Sequence, residues 1–295
     1  MIKGTIVKAL SGFYYVQTEN GIIECKARGK FRLDGTSPLV GDKVHCSLDA
    51  HGKGRVDSVD ERRNWFIRPA VANIDALIFV AANTNPVTDP FLIDRVSVIA
   101  ANSNCELIIC INKTDIDSAD ELHDIFTRAG FPVVRTSAET GDGIDELREM
   151  LKGKICAFTG NSGVGKSSIL NVLLPGINIK TAEVSEKLGR GKHTTRHVEL
   201  YDVGDEIFVA DTPGFASFDI EMMDIIPKED LQYCFREFSP YIGRCRFNNC
   251  AHLKEPGCAV TEALKEGLII KSRYKSYEKL YELSAQHKSW EIKQN

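Results

Sequence analysis

The octapeptide at residues 160–167, Gly-Asn-Ser-Gly-Val-Gly-Lys-Ser, constrains the fold most, because it fits the pattern G-x-x-x-x-G-K-[ST]. The apolar segment 154–159 predicts a strand before it, and 168–174 predicts a helix after it. In this context, glycines let backbone N–H groups curl around a phosphate at a helix N-terminus. We expect a catalytic cation at Lys166, an Mg²⁺ ligand at Ser167, and nucleotide binding by Gly160, Asn161, Ser162, Gly163, Val164, Gly165, Lys166, Ser167 and Ser168.

A second motif, Asp-Thr-Pro-Gly at 211–214, ends the apolar run 207–210. Phosphate-loop folds place there an acid that faces Mg²⁺ through water and a glycine that senses the γ-phosphate. The tetrapeptide alone also fits a strand end and a turn, so its weight comes from the octapeptide. We therefore predict that Asp211 holds Mg²⁺ through water and that Gly214 binds the nucleotide.

The base is predicted from Asn-Lys-Thr-Asp at 112–115, which follows the apolar segment 106–111 and fits N-K-x-D. The Asp115 carboxylate would accept hydrogen bonds from guanine N1 and N2, and adenine offers no matching donors. Unpaired buried acceptors cost about 1–3 kcal/mol per group, so this acid favours GTP over ATP. Thr-Ser-Ala at 136–138 resembles a loop that donates to guanine O6. The predicted base-binding residues are Asn112, Lys113, Asp115, Ser137 and Ala138.

The order of these motifs is unusual. A Ras-like GTPase begins with the phosphate loop, whereas here N-K-x-D at 112 and Ser-Ala at 137 precede the phosphate loop at 160. A circularly permuted sheet explains this order, since domain termini often lie close together. Alternating apolar and helical segments predict an α/β fold with a largely parallel sheet, with strands at 74–81, 106–111, 132–136 and 154–159 and an antiparallel pair at 197–202 and 206–211.

With 295 residues, the chain is long enough for two or three domains. We predict a barrel over 1–66, a permuted GTPase domain over 67–220 and a helical zinc-binding domain over 221–295. The apolar runs are shorter than the roughly 20 residues of a membrane span, and the N-terminus lacks a secretory signal pattern. These observations predict a cytoplasmic protein without a membrane contact.

Residues 1–66 contain about five short strand patterns separated by turn signals. Their spacing predicts a small all-β barrel of the oligonucleotide-binding (OB) kind, and an SH3-like barrel has similar spacing. A predicted loop combines Phe31 with four cations that suit RNA, namely Lys26, Arg28, Lys30 and Arg32. A solvated charged loop is the alternative.

Three of the nine cysteines cluster with a histidine in Cys-x₄-Cys-x-His-x₅-Cys. Three thiolates and one imidazole close a tetrahedral Zn²⁺ site without an open position, so we expect one structural zinc ion. Its predicted ligands are Cys245, Cys250, His252 and Cys258. Such a cluster fits a reducing compartment, and the other six cysteines are expected to pack as small apolar residues.

The formal net charge of -4 conceals opposite regions. Residues 1–66 carry 11 Lys+Arg against 8 Asp+Glu, residues 67–267 carry 20 against 30, and residues 268–295 carry 6 against 3. The two basic ends are therefore where a polyanion would bind. Near the cysteine cluster, the candidates for RNA contact are Arg244, Arg246, Lys271, Arg273 and Lys275, interleaved with Phe247, Tyr274, Tyr277 and Tyr281. A solvent-exposed charged helix is the alternative.

Together, these features resemble the circularly permuted, ribosome small-subunit-dependent GTPases of the RsgA type over nearly the whole chain. On that resemblance, residues 191–195 correspond to switch I and Thr195 contacts Mg²⁺, with Thr194 as the alternative. Phe215 stands where Ras-like GTPases have a water-orienting glutamine, so another group must position the water. The resemblance points to His193 as the catalytic candidate, although a solvated histidine fits this loop as well.

The resemblance implies a GTP hydrolase with low basal activity that rises on the small (30S) ribosomal subunit, acting late in maturation of that subunit. The expected partners are GTP and GDP, the small subunit and its rRNA; the expected cofactors are one Zn²⁺, and Mg²⁺ with GTP. We expect a monomer. Two alternatives stay open: a GTP-dependent switch that acts on a protein partner, and a GTP-regulated RNA-binding protein with little hydrolysis.

Overall fold

The computed structural model describes residues 1–27, 31, 37–67, 70–174, 198–211 and 226–286, and for Ile67 and Asp211 the backbone alone. The sequence-predicted residues outside these ranges are Arg28, Lys30, Arg32, His193, Thr194, Thr195, Gly214 and Phe215. Among the described helices, none has both the length and the apolar character that a membrane span needs.

The chain begins with a five-stranded barrel, built from β1 (Ile2–Leu10), β2 (Phe13–Thr18), β3 (Gly21–Ala27), β4 (Lys43–Leu48) and β5 (Gly54–Val59). The strand order is β1-β2-β3-β5-β4, and β4 pairs with β1 to close the barrel. Alternate side chains such as Ile6, Val16 and Val44 point into a buried core. The predicted OB-like barrel is therefore confirmed, whereas Lys26 lies in a strand and not in the predicted loop.

A hairpin of β6 (Trp65–Ile67) and β7 (Ala70–Ala72) follows the barrel. Buried amides flank it: Asn73 donates to Gly41 O at 3.0 Å and Asn64 donates to Ile74 O at 2.9 Å. A side chain at Gly41 would collide with Ala72 O, 2.0 Å from its Cβ position. These hydrogen bonds fix the path of the chain from the barrel into the next part of the sheet.

The next part is a mainly parallel sheet of β8 (Ala76–Ala82), β9 (Glu106–Asn112), β10 (Val133–Arg135), β11 (Ile155–Thr159), β12 (Glu199–Gly204) and β13 (Ile207–Asp211), in the order β10-β9-β8-β11-β13-β12. Only β12 in this group runs antiparallel to its neighbour β13. All seven residues of β8 are buried, as expected for a strand covered on both faces. The α/β prediction is confirmed.

Four helices pack against this sheet: α1 (Pro90–Asn102), α2 (Asp120–Arg128), α3 (Ile144–Leu151) and α4 (Lys166–Leu173). Helix α1 begins where it does because the Asp89 carboxylate accepts from the Phe91 N–H at 2.9 Å and Pro90 occupies the first turn. The buried faces of α1 and α2 close one side of the sheet and those of α3 and α4 the other.

The barrel and the parallel sheet are hydrogen-bonded to each other. Strand β1 pairs antiparallel with β12 at Lys8 and Glu199. The Lys8 ammonium contacts both oxygens of the Glu199 carboxylate, at 3.0 and 2.9 Å. The eleven strands therefore form one continuous sheet.

The C-terminal part contains α5 (Leu231–Cys234), a 3₁₀ turn (Arg236–Phe238), α6 (Ala259–Lys265) and α7 (Lys271–Ala285). Its core packs Phe235 and Phe238 against Tyr277, with ring centroids 5.3 and 4.9 Å from that of Tyr277. Tyr274 and Tyr277, which the sequence interleaves with the candidate cations, are buried and do not belong to an exposed surface. Both rings instead fill the core beside the cysteine cluster.

The prediction that Arg273 contacts RNA is wrong. Its side chain is 0% exposed and forms ion pairs with Asp94 at 2.6 Å and with Glu237 at 2.7 Å. The guanidinium also lies against the Phe235 ring. Two carboxylates compensate the buried cation, so Arg273 joins α7 to α1 rather than to a ligand.

Candidate functional site

The phosphate loop connects β11 to α4. Gly160 has φ 134° and Gly165 has φ 97°, values at which a side chain would be strained. A Cβ on Gly165 would lie 2.2 Å from Nδ2 of Asn112, so the missing side chain also makes room for that amide. The loop is open to solvent at Ser162 and Gly163, and the Ser167 hydroxyl lies in the first turn of α4. The loop thus lies between a strand and a helix, as the sequence predicted.

Lys166 lies folded over this loop. Its ammonium donates to Gly160 O at 2.7 Å and to Asn161 O at 2.6 Å. Burial lowers the pKa of Lys166 to about 8, because desolvation disfavours the charged form. The loop therefore holds a cation that a phosphate anion would stabilise.

This pKa predicts that nucleotide binding takes up a proton. At about pH 8.5 a lysine of pKa about 8 is partly neutral, and a bound phosphate raises that pKa, so GDP binding should take up part of a proton and weaken as the pH rises further. Isothermal titration calorimetry in buffers of different ionisation enthalpy measures the uptake. The Lys166→Arg variant is the control, because its guanidinium stays protonated. Equal uptake by both proteins would contradict the prediction.

Asn112 connects the two halves of the site. This side chain is 3% exposed, donates to Val164 O at 2.9 Å and accepts from the Ala138 N–H at 3.1 Å. Thr136 Oγ1 lies 3.4 Å from the same Asn112 oxygen. One buried amide thus joins the phosphate loop, the N-K-x-D turn and the Ser-Ala loop.

The N-K-x-D turn presents Asp115 to solvent. Lys113 has φ 65° and donates to Asn85 O, while Thr114 Oγ1 donates to Thr136 O at 2.9 Å. Ser137 is buried, and its N–H donates to Asp142 O at 2.9 Å. The sequence included Thr136 only as the first residue of the Thr-Ser-Ala loop, and it did not reveal Asn85, which no motif includes.

The motifs lie at the same edge of the sheet. Asn112 and Asp211 are the last residues of β9 and β13, and Thr136 and Gly160 directly follow β10 and β11. The register pairs Ala157 of β11 with Ala210, so the backbone of Asp211 lies level with the end of β11. This carboxyl edge is where open α/β sheets bind ligands. The hydroxyl of Ser167 and the carboxylate of Asp211, the last residue of β13, are the kinds of oxygen donor that Mg²⁺ prefers.

The second candidate site is the Cys/His cluster, whose four ligand atoms lie within 4.8 Å of one another. Cys245 Sγ lies 3.9 Å from Cys258 Sγ and 3.5 Å from His252 Nδ1, which is 3.4 Å from Cys258 Sγ. Tetrahedral zinc, with bonds of about 2.3 Å to sulfur and 2.0 Å to nitrogen, separates two sulfurs by about 3.8 Å and sulfur from nitrogen by about 3.5 Å. The cluster therefore has the spacing of a metal site.

Neighbouring groups orient this cluster. Gln232 Oε1 lies 2.8 Å from His252 Nε2, so Nε2–H donates to it and leaves Nδ1 towards the sulfurs. Burial lowers the pKa of His252, which favours the neutral ring that a metal requires. Tyr274 donates to His252 O at 2.7 Å, and Tyr277 donates to Ala251 O at 2.7 Å. The sequence predicted the ligands but not Gln232, which lies outside their spacing pattern.

The candidate RNA contacts divide into buried and exposed cations. Lys26 is exposed, with its ammonium 4.8 Å from the Phe13 ring centroid. Arg246 is exposed and lies next to Cys245 in the chain. Its guanidinium carbon lies 5.7 Å from the ring centroid of Phe247, a residue that is 43% exposed. Of the other candidates that the structure describes, Arg244, Lys271 and Lys275 are exposed and Arg273 is buried.

An OB-like barrel, a permuted α/β sheet with a phosphate loop and a Cys₃His cluster that could hold a metal ion define a circularly permuted GTPase. Family profiles described as the RsgA GTPase and the RsgA N-terminal domain match residues 59–221 and 3–56. This chain belongs to the RsgA GTPase family and is a GTP-hydrolysing enzyme.

Similar proteins cover nearly the whole chain. A small ribosomal subunit biogenesis GTPase RsgA of Caldanaerobacter subterraneus is 47% identical over 94% of this chain and 93% of its own length. One from Bacillus cereus is 45% identical over 96% and 97%. The crystal structure of YjeQ from Thermotoga maritima has a TM-score of 0.83 at 36% identity, covering 97% of this chain and 99% of YjeQ. That of YloQ, described as a circularly permuted GTPase, has a TM-score of 0.82 at 34% identity, covering 98% and 96%.

Proposed function

We propose that this protein hydrolyses GTP while bound to the small ribosomal subunit and acts in late maturation of that subunit. The observation that carries the proposal is the assembly of guanine and phosphate motifs at one sheet edge, joined by Asn112. The names of the similar proteins supply the partner. We further propose a cytoplasmic monomer with three parts: barrel (1–66), GTPase (67–220) and zinc-binding (221–295).

In this proposal the nucleotide lies along the carboxyl edge of the sheet. Asp115 accepts from guanine N1 and N2, and Ser137 and Ala138 form the loop beside guanine O6. Lys166 and the backbone N–H groups of 160–168 bind the phosphates. Mg²⁺, when bound, neutralises charge on the β- and γ-phosphates. Its proposed ligands are Ser167, Thr195 and, through water, Asp211.

Hydrolysis also needs a group that orients the attacking water. The Phe215 side chain has no hydrogen-bonding group, and the resemblance to the family points to His193, in the segment that resembles switch I, for this role. Gly214 would sense the γ-phosphate through its backbone. Loss of that phosphate removes contacts from both segments, which provides a physical reason for release after hydrolysis. These assignments rest on the sequence.

The Cys/His cluster is proposed to hold one structural Zn²⁺ through Cys245, Cys250, His252 and Cys258. The support is the close approach of the four donor atoms, which lie within 4.8 Å of one another, and the Gln232 contact that orients His252. Four protein ligands leave no open position, so the ion would stabilise the segment rather than react.

The rRNA would contact cations at both ends of the chain. The support is the exposure of Lys26, Arg244, Arg246, Lys271 and Lys275. Arg28, Lys30 and Arg32 are assigned from the sequence alone. Cationic contacts to phosphates release counterions, so binding to the subunit should weaken steeply with added salt.

The proposal predicts a low basal rate of GTP hydrolysis that rises when purified 30S subunits are added. Subunit binding supplies free energy that stabilises the hydrolysis-competent arrangement of the site. Phosphate release is measured over a titration of 30S subunits, with 50S subunits and the Lys166→Ala variant as controls. A rate that does not change across the 30S titration would contradict the proposal.

A further inference from the structure

The segment between β8 and α1, residues 83–88, lies directly beside the N-K-x-D turn (residues 112–115), here called the base-binding turn. Thr88 folds it back on itself: the Ala82 N–H donates to Thr88 Oγ1 at 3.0 Å, and the Thr88 N–H donates to Ala82 O at 2.8 Å. Thr88 is 3% exposed, so this closure is anchored in the protein. None of the nucleotide-binding motifs includes this segment.

The segment contacts both halves of the nucleotide site. Asn83 Nδ2 donates to Asp117 Oδ1 at 3.0 Å, and Lys113 donates to Asn85 O, so two bonds reach the N-K-x-D turn. On the phosphate side, Pro86 packs beside Gly163, where a Cβ would lie 3.2 Å from Pro86 Cδ. Residues 83–88 therefore contact both the base-binding turn and the phosphate loop.

Asp117 holds the far end of the base-binding turn. Its Oδ1 accepts from Asn83 and also from the Ala119 N–H at 2.8 Å, at the start of α2. These two hydrogen bonds lower the pKa of Asp117, so the carboxylate is charged at neutral pH. Asp117 N–H also donates to Lys113 O at 3.2 Å, which closes the turn that carries Asp115.

We propose that Asn83 and Asp117 are a positioning pair that sets the place of the Asp115 carboxylate, and thereby the preference for guanine. The inference rests on the proposed guanine site. Asp115 is exposed, so the backbone of its turn must fix its position. Asn83 follows β8 and holds Asp117, and through Asp117 the backbone of the turn. The hydrogen bond between them is charge-assisted and therefore stronger than one between neutral groups.

The test compares the affinities for GDP and inosine diphosphate, which lacks the 2-amino group that Asp115 would accept. In Asn83→Ala, the preference for GDP over inosine diphosphate should fall about threefold, because a displaced Asp115 loses this contact. The Asp115→Ala variant is the positive control and should lose most of the preference. Asp124→Ala is the matched control, because Asp124 is exposed on α2 and pairs with Arg128.

Exchanging the two side chains tests whether a change in nucleotide preference comes from the position of Asp115 or from a loss of folding. In the double variant Asn83→Asp and Asp117→Asn, the new amide can accept from Ala119 and donate to the new carboxylate, so the GDP preference should return to within about twofold of the wild-type value. Thermal unfolding of each variant establishes that the proteins compared are folded.

The possible outcomes distinguish the proposed positioning role of Asn83 and Asp117 from the proposed guanine site itself. An unchanged preference in Asn83→Ala, or equal weakening of both nucleotides, would overturn the positioning role while leaving the guanine site intact. Failure of the exchanged pair to restore the preference would also overturn it. A wild-type protein that binds GDP no better than ADP would instead refute the guanine site itself.

Discussion

Replacing one zinc ligand, Cys258→Ala, is expected to abolish metal binding and to unfold the C-terminal segment. Cys258 is 1% exposed and His252 is also 1% exposed, so the metal would be part of the core. Structural zinc contributes about 10–16 kcal/mol in small zinc domains, which exceeds the stability of most domains, about 5–15 kcal/mol. The short helices α5 and α6 pack around the cluster and cannot replace that contribution.

Metal content per chain and near-ultraviolet circular dichroism of the packed tyrosines measure the effect. The matched control is Cys234→Ala, because Cys234 is buried in the same core and its thiol donates to Asp230 O rather than facing the cluster. The control should keep one metal ion per chain. A Cys258→Ala protein that binds metal and keeps its tyrosine signal would refute the assignment.

The second large effect is expected for Arg273→Met, which should lower the free energy of unfolding by about 3–5 kcal/mol. The variant leaves Asp94, 1% exposed, and Glu237 buried without their cation. Burial already raises the pKa of Asp94 even with Arg273 present, so removing the cation raises that pKa further. A buried acid with a raised pKa is tolerated when protonated, so the loss of stability grows as the pH rises above about 4, the ordinary pKa of an aspartate.

Urea unfolding at several pH values measures this loss. Lys265→Met is the control, since Lys265 forms an exposed ion pair with Glu262 at 2.9 Å and such pairs contribute about 0–1 kcal/mol. A loss for Arg273→Met that stays as small as that of the control would show that the buried network contributes little to the junction between α1 and α7.

Most of the correct predictions came from patterns of residues that are close together in the sequence. The phosphate loop, the N-K-x-D turn and the zinc ligands each lie within a short stretch, so spacing alone specifies their chemistry. The boundaries of the strands also followed from apolar runs and turn residues. What the sequence could not reveal is contact between distant residues.

Arg273 illustrates that limit. It lies in a run of cations that resembles a solvated helix face, and its partner Asp94 is 179 positions away in the chain. The same limit applies to Asn83 and Asp117, which are 34 positions apart, and to Gln232, 20 positions from His252. In each case a polar group is brought to its partner by the packing of different elements.

The pairing of β1 with β12 has a consequence for how the protein can be divided. A strand with an unpaired side offers N–H and C=O groups to other chains and promotes aggregation. Here β1 of the barrel pairs with β12 at Glu199, and the Lys8 ammonium forms an ion pair with the Glu199 carboxylate. A GTPase region expressed without residues 1–66 would lose this pairing at β12, so we expect it to aggregate more readily than the whole chain.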